Sequence, residues 1–257
     1  VSDEVLRLRA AGCVFAEEEA ALLKAAATTP DDLAALVSRR VAGEPLEQIL
    51  GWAEFLGRRI ALRPGVFVPR RRTQFLAEQA IALSLAGSVA VDLCCGSGAI
   101  AAALAAADRG LDVYAADIDP VAVQCAAANV GADRVFRGDL FTALPERMRG
   151  RLGTVVANVP YVPTGEIARM PPEARYHEPR TALDGGADGL DVLRRVVAAA
   201  PAWLAPGGHL LVEISPHQAV AALAAFAGHG LTARLERDDE LEATVVIGAA
   251  NQLGPTG

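Results

Sequence analysis

The tetrad Asn158-Val159-Pro160-Tyr161 has residue types at a spacing that suits a definite chemistry. An asparagine side-chain oxygen accepts one N–H, the next main-chain carbonyl accepts a second, and an aromatic ring covers a flat face. Together these groups hold a planar NH2. With a methyl donor alongside, they suit methyl transfer to an amide or amino nitrogen. The stretch Thr154-Val155-Val156-Ala157 just before the tetrad reads as a buried parallel strand. Asn158 is therefore expected at a strand's carboxyl end, where open α/β sheets bind their ligands.

Three further strand ends carry suitable groups. The turn Asp92-Leu93-Cys94-Cys95-Gly96-Ser97-Gly98 has two glycines that let the backbone approach a ligand, and it opens a helix whose N-terminus favours a carboxylate or phosphate. Taken alone the turn is weak evidence, because Gly96-x-Gly98-x-x-Ala101 also fits a dinucleotide fingerprint or an ordinary tight turn. Asp117, in Ala116-Asp117-Ile118-Asp119-Pro120, ends the next strand where an acidic group meets ribose hydroxyls. Its alternative role is to cap the following helix, which Asp119 fills better because Pro120 suits the first helical position. Gly138-Asp139-Leu140-Phe141 ends a third strand, where Asp139 is placed to accept from an adenine amine or simply to make a turn.

The elements that must position these groups fall into three regions. Residues 3–50 read as short amphipathic helices, with Pro30-Asp31-Asp32 as a helix start and Gly43-Glu44-Pro45 as a turn. Residues 52–69 shift to short β segments: Glu54-Phe55-Leu56, Arg59-Ile60-Ala61-Leu62 and Val66-Phe67-Val68. From about residue 74, helices (74–85, from 98, 120–129) alternate with strands (89–93, 112–116, 133–137, the strand ending at Asn158, 208–214, 231–236, 243–248). This alternation predicts a doubly wound α/β sheet. The close spacing of the last two strands around Asp238-Asp239 predicts an antiparallel hairpin at its edge. The expected division is a helical domain over 1–51 that docks substrate, a β-hairpin linker over 52–72, a catalytic domain over 73–250 and a tail over 251–257.

Composition limits the function classes. At 257 residues the chain is long enough for one large domain and a smaller one. The 52% hydrophobic content owes much to alanine-rich helices, and no run approaches the ~18 apolar residues of a membrane span. The acidic start, Val1-Ser2-Asp3-Glu4, has no export pattern, so a cytoplasmic protein is expected. A net charge of −7 gives no general attraction to nucleic acid. Cys13, Cys94, Cys95 and Cys125 lack metal spacing, as do His177, His209, His217 and His229, so no metal is expected. Trp52 and Trp203 are expected to pack.

The order of the four strand ends resembles that of the class I S-adenosylmethionine methyltransferases. Within them the chain resembles the HemK-like protein-glutamine methyltransferases, through segments spread over most of its length. These are Gly43-Glu44-Pro45-Leu46, Ala53-Glu54-Phe55-x-Gly57, Val68-Pro69-Arg70, Asp92 to Ile100, Gly138 to Phe141 and Asn158-x-Pro160-Tyr161-Val162-Pro163. Further along come Glu178-Pro179-Arg180-Thr181-Ala182-Leu183-Asp184-Gly185-Gly186, Asp188-Gly189-Leu190-Asp191, Pro206-Gly207-Gly208 and Glu213-Ile214. The segment from Glu178 to Gly186 is the most distinctive. Three departures mark a related branch: Val159 replaces the first proline of Asn-Pro-Pro-Tyr, Arg71-Arg72-Thr73-Gln74 replaces an acidic, proline-containing stretch, and Leu241-Glu242-Ala243-Thr244 replaces a Gly-Arg-Asp-Arg-like ending.

The resemblance implies a seven-stranded Rossmann-like sheet. It implies S-adenosylmethionine as cofactor, leaving as S-adenosylhomocysteine and held by Asp92, Cys94, Gly96, Gly98, Asp117, Ile118, Asp139, Leu140 and Asn158. It implies Asn158, Val159, Pro160 and Tyr161 as the catalytic set, with Asn158, Val159, Tyr161, Glu178 and Arg180 meeting a glutamine on a loop of a release factor or ribosomal protein. An ion pair between Glu178 and Arg180 that closes the loop onto the domain is the favoured alternative for those two residues. Arg70, Arg71 and Arg72 read either as a contact for RNA or an acidic partner, or as a solvated charge run. Adenine methylation in nucleic acid, a nicotinamide-dependent oxidoreductase and a non-catalytic cofactor-binding module are the competing functions.

Overall fold

The computed structural model describes residues 2–252, so the expected tail lies outside the described residues from 253 onward. Four helices open the chain: α1 (Asp3–Ala10), α2 (Ala16–Ala26), α3 (Pro30–Val41) and α4 (Leu46–Leu50). Helix α3 starts where the sequence predicts, because the Thr29 hydroxyl accepts from the Asp32 N–H at 3.1 Å and Pro30 fills the first turn. Leu8, Leu23, Val37 and Ile49 give these helices a small core of their own.

Strands β1 (Trp52–Phe55) and β2 (Arg58–Ala61) form an antiparallel hairpin. The third β segment expected nearby, Val66-Phe67-Val68, is not a strand, because its polar backbone is satisfied by side chains instead of a ladder. Gln48 Nε2 donates to the Val66 carbonyl at 3.1 Å, and the Val68 N–H donates to Glu178 Oε1 at 3.1 Å. Val66 and Val68 bury their side chains against Leu62 and Cys125.

The main sheet comprises β3 (Val89–Leu93), β4 (Asp112–Asp117), β5 (Val135–Arg137), β6 (Leu152–Ala157), β7 (Leu204–Glu213), β8 (Thr232–Asp238) and β9 (Ala243–Ala249), in the order β5-β4-β3-β6-β7-β9-β8. The first five strands are parallel, and β8 and β9 form the expected antiparallel hairpin at one edge. Helices α5 (Thr73–Leu83), α6 (Ala99–Ala106) and α7 (Pro120–Val130) cover one face. The other face packs against α9 (Asp191–Trp203) and α10 (Ala219–Gly228), while α8 (Pro172–His177) lies in the loop after β6. Strand residues alternate between the two cores: Val155 and Leu210 join one, Val156 and Leu211 the other. With helices on both faces, the strands become the near-continuous apolar runs that make them legible in the sequence.

Strand order reverses between β3 and β6, which opens a crevice at their carboxyl ends. The register fixes what meets there. Leu93 pairs with Ala116 on one side and Ala157 on the other, and Ala157 pairs with Val212. One residue further along, Asp117, Cys94, Asn158 and Glu213 therefore form a row across four adjacent strands.

Candidate active site

A cleft opens above this row, lined from it by Cys94, Asp117 and Asn158. Gly96, Ser97, Asp117 and Ile118 wall one end, and Thr73, Asn158, Tyr161 and Met170 wall the other.

At the first end, each Asp117 carboxylate oxygen accepts one main-chain N–H, from Asp119 and from Gly96, both at 2.9 Å. Burial raises the Asp117 pKa, and these N–H groups pull it back. A carboxylate so held keeps free lone pairs for two hydroxyls. Next to it the Ile118 side chain is apolar and mostly exposed, so it offers a flat ring a dry face. Asp119 instead caps α7, accepting from the Val121 N–H at 2.8 Å, with Pro120 at the first helical position. Cys94 lines the cleft in a left-handed backbone conformation (φ 55°), and burial pushes its thiol up and out of the titrating range. A carboxylate with free lone pairs beside an exposed apolar side chain, at the switch point of the sheet, is chemically suited to the hydroxyls and flat ring of a nucleoside such as that of S-adenosylmethionine.

Four residues expected at the cofactor do not line the cleft. Asp92 points beneath the turn, where Oδ2 accepts from the Ala101 N–H at 3.0 Å and braces α6. Gly98 serves helix packing: at φ 76°, a Cβ there would lie 3.0 Å from the Ala126 Cβ on α7. Asp139 forms a half-exposed ion pair with Arg195. Leu140 packs against the core beside α9.

At the other end, Asn158 Nδ2 donates to the Thr73 hydroxyl at 3.2 Å, which turns Oδ1 away from that contact and leaves it without a protein donor among the described residues. The Val159 carbonyl likewise accepts no hydrogen bond among the described residues. Val159 is buried in the core and Pro160 is buried beside it. The main chain then turns under a fixed strap. Gln218 Nε2 donates to the Tyr161 carbonyl at 2.9 Å, the Val162 N–H to Leu183 O at 3.0 Å and the Gly185 N–H to Val162 O at 2.8 Å. Gly189 completes the strap in a left-handed conformation (φ 77°), where a Cβ would stand 2.2 Å from the Tyr161 carbonyl oxygen. The Tyr161 hydroxyl accepts from Arg72 Nη2 at 2.5 Å and donates to Glu213 Oε1 at 3.2 Å. Burial pushes the phenol up to about 12, so it stays neutral and able to donate.

Glu178 and Arg180 do not pair with each other, and neither lines the cleft, although Pro179, Thr181, Ala182 and Leu183 do. Glu178 is buried. It accepts from Arg70 Nη2 at 2.7 and 2.6 Å, and from the Val68 N–H, so it ties the strap to the linker with Arg70 as its partner. Arg180 is solvent-facing and pairs with Asp184. The arginine run is not a continuous charged face either. Arg70 and Arg72 turn inward to the buried carboxylates Glu178 and Glu213, and only Arg71 is left on the surface without an ion pair among the described residues. Thr73, Glu213 and Gln218 were not foreseen as site residues. A readable signal existed for Glu213, an acid ending the apolar run Leu210-Leu211-Val212 at the level of Asn158.

A strand-order switch between β3 and β6, with β9 inserted antiparallel between β7 and β8 at the sheet edge, is the architecture of a class I S-adenosylmethionine-dependent methyltransferase. Residues 58–170 match the family model described as "Methyltransferase small domain". The chain is 40% identical over 210 residues to the release factor glutamine methyltransferase of Geobacter sulfurreducens, covering 78% of this chain and 72% of that protein. It is 38% identical over 204 residues to a 4-amino-L-phenylalanine/4-methylamino-L-phenylalanine methyltransferase of Streptomyces pristinaespiralis, covering 76% and 70% respectively. A crystal structure of a Pyrococcus furiosus methyltransferase shares the fold, with a TM-score of 0.58 at 15% identity over 83% of this chain and 97% of that one. The chain belongs to the HemK-like protein-glutamine methyltransferase family, and it is an enzyme of that family.

Proposed function

We propose that this enzyme methylates the side-chain amide nitrogen of a glutamine presented on an exposed loop of a protein, a translation release factor being the first candidate, in the cytoplasm. The observation that carries this reading is the pair of free acceptors, Asn158 Oδ1 and the Val159 carbonyl. They stand next to Tyr161, and the Thr73 contact fixes which way the Asn158 amide faces. A primary amide has two N–H bonds to give them and a flat face for the ring. An amide nitrogen is a weak nucleophile because its lone pair is delocalised, so the protein's contribution is orientation, for which aligned pairs gain roughly 7–11 kcal/mol. S-Adenosylmethionine, when bound, supplies an electrophilic methyl. A nitrogen–carbon bond forms as the sulfur–carbon bond breaks, and the surplus proton leaves the nitrogen to water. Val159 keeps the carbonyl this chemistry needs, since replacing proline alters loop stiffness and not the acceptor.

The test is transfer of tritiated methyl from S-adenosylmethionine to a purified, unmethylated bacterial release factor, with the modified residue located by mass spectrometry. Methyl on a glutamine is expected. Label in nucleic acid and none in protein would overturn the reading in favour of adenine. The likeness to the aminophenylalanine enzyme favours a second acceptor, a free aryl amine, whose NH2 suits the same two acceptors. Including 4-amino-L-phenylalanine in the assay separates the two.

A further inference from the structure

We propose that Arg72 is the positioning residue for Tyr161, and that the Arg72–Glu213 pair supplies the stiffness at the tetrad that Val159 gives up. This rests on reading Asn158–Tyr161 as the acceptor pocket, although the clamp can be measured without an acceptor.

Three observations converge on it. First, the Tyr161 hydroxyl is held from two directions, receiving from Arg72 Nη2 at 2.5 Å and giving to Glu213 Oε1 at 3.2 Å. Both bonds act on the oxygen at the far end of the ring, so they fix where that end of the ring stands. Second, the clamp is anchored in the sheet. Glu213 ends β7 with its side chain 1% exposed, and Arg72 Nε donates to the same Oε1 at 3.2 Å. One guanidinium thus spans carboxylate and phenol, a task for a planar fork that a lysine's point charge does not match. Its carbon also lies 5.8 Å from the Tyr161 ring centroid. Third, Arg72 directly precedes Thr73, which holds the amide of Asn158. Two consecutive residues at the start of α5 therefore grip the tetrad at both ends, Thr73 at the amide and Arg72 at the ring.

The same arrangement joins two departures from the resemblance that otherwise look unrelated. A proline at 159 would lock φ covalently, whereas valine there is held only by its packing in the core and by the restriction that Pro160 places on the residue before it. An acid at 72 would face the buried Glu213 as a like charge and have no proton to give the Tyr161 oxygen. Arginine at 72 reverses both effects. The clamp and the valine are thus two halves of one solution.

The test uses the full chain labelled with 3-fluorotyrosine. There are three tyrosines, Tyr114, Tyr161 and Tyr176, and Tyr161→Phe assigns the relevant fluorine resonance. Arg72→Gln is expected to shift and broaden that resonance alone, and adding Val159→Pro to narrow it again. With a bacterial release factor as acceptor, Arg72→Gln should lower kcat by about 10–100-fold, the scale of a slightly misplaced reactant. Calorimetric affinity for S-adenosylmethionine should change less than about twofold, and Val159→Pro should recover most of the lost rate only in the Arg72→Gln background. Should the orphaned Glu213 unfold that variant, Arg72→Gln/Glu213→Gln removes both charges and is expected to show the same broadening and loss. A Tyr161 resonance unmoved by losing Arg72, or a Val159→Pro effect of equal size in both backgrounds, overturns the clamp. If no release factor is methylated, the proposed acceptor fails, and the fluorine spectra still decide the clamp.

Discussion

The two ends of the cleft are built in different ways. At the cofactor end, Asp117 is held by the N–H groups of Gly96 and Asp119, main-chain donors in turns that the parallel sheet itself creates. At the other end, Asn158 and Tyr161 are held by side chains from far along the chain. Thr73 reaches Asn158 across 85 residues, Arg72 reaches Tyr161 across 89, and Gln218 reaches Tyr161 across 57. On the proposed assignment, donor binding is thus a property of topology, whereas acceptor binding is a property of side-chain packing. Such a division lets acceptor choice change while the donor site is left alone.

The division is broken most sharply at Asn158. Asn158→Ala removes one of two N–H acceptors from the reacting nitrogen, and transfer is expected to fall by about 10²–10³-fold, the scale for losing one preorganised polar contact. Affinity for S-adenosylmethionine should stay within a few-fold by calorimetry. A parallel loss of donor affinity would mean that the two ends are one site. Gly189→Ala attacks the same end from behind, since its Cβ would overlap the Tyr161 carbonyl at 2.2 Å and Gln218 Nε2 at 2.5 Å. A destabilisation of about 1–3 kcal/mol in urea unfolding is expected, as for overpacked sites, with a larger drop in transfer than in donor affinity. Wild-type transfer in this variant would show that the strap does not shape the pocket.

From the opposite end, Asp117→Ala should weaken S-adenosylmethionine binding by about tenfold or more, the worth of hydrogen bonds to a charged group. Saturating donor should restore most of the turnover, because Thr73, Asn158 and Tyr161 are untouched. Unchanged calorimetric affinity would remove Asp117 from the nucleoside site.

The same division explains which parts of the molecule were legible in the sequence. Strand ends with Asp117 and Asn158, the cap at Asp119 and the edge hairpin were readable because local periodicity and turn chemistry determine them. Val66–Val68 misled because an apolar β-branched run looks the same whether a neighbouring strand or the side chains of Gln48 and Glu178 satisfy its backbone. Asp92 and Gly98 occupy familiar motif positions, yet one braces a helix and the other admits Ala126, roles that exist only once α6 and α7 are packed. Arg72 read as part of a charge run because its partner Glu213 lies 141 residues away. Nothing short-range in a sequence encodes such a contact.

The smallest expected effect concerns the acid beneath the cofactor turn. Asp92 is buried, with Oδ2 bonded to the Ala101 N–H and Oδ1 without a partner among the described residues. Burial, with Asp117 nearby, pushes its carboxyl up to about 8. The folded state therefore keeps a proton that the unfolded chain releases near the ordinary aspartate value of about 3.9. A native state that binds more protons than the unfolded one loses stability as pH rises. The loss should build between about pH 4 and 8 and level off above that, once the carboxyl is ionised in both states. Asp92→Asn keeps an acceptor for the Ala101 N–H without the titration, so its urea midpoint should fall less than that of the wild type between pH 5 and 8. Profiles that run parallel would show that Asp92 is already ionised at pH 5. The cofactor turn would then not be dry, and its rigidity would have to come from charge instead of packing.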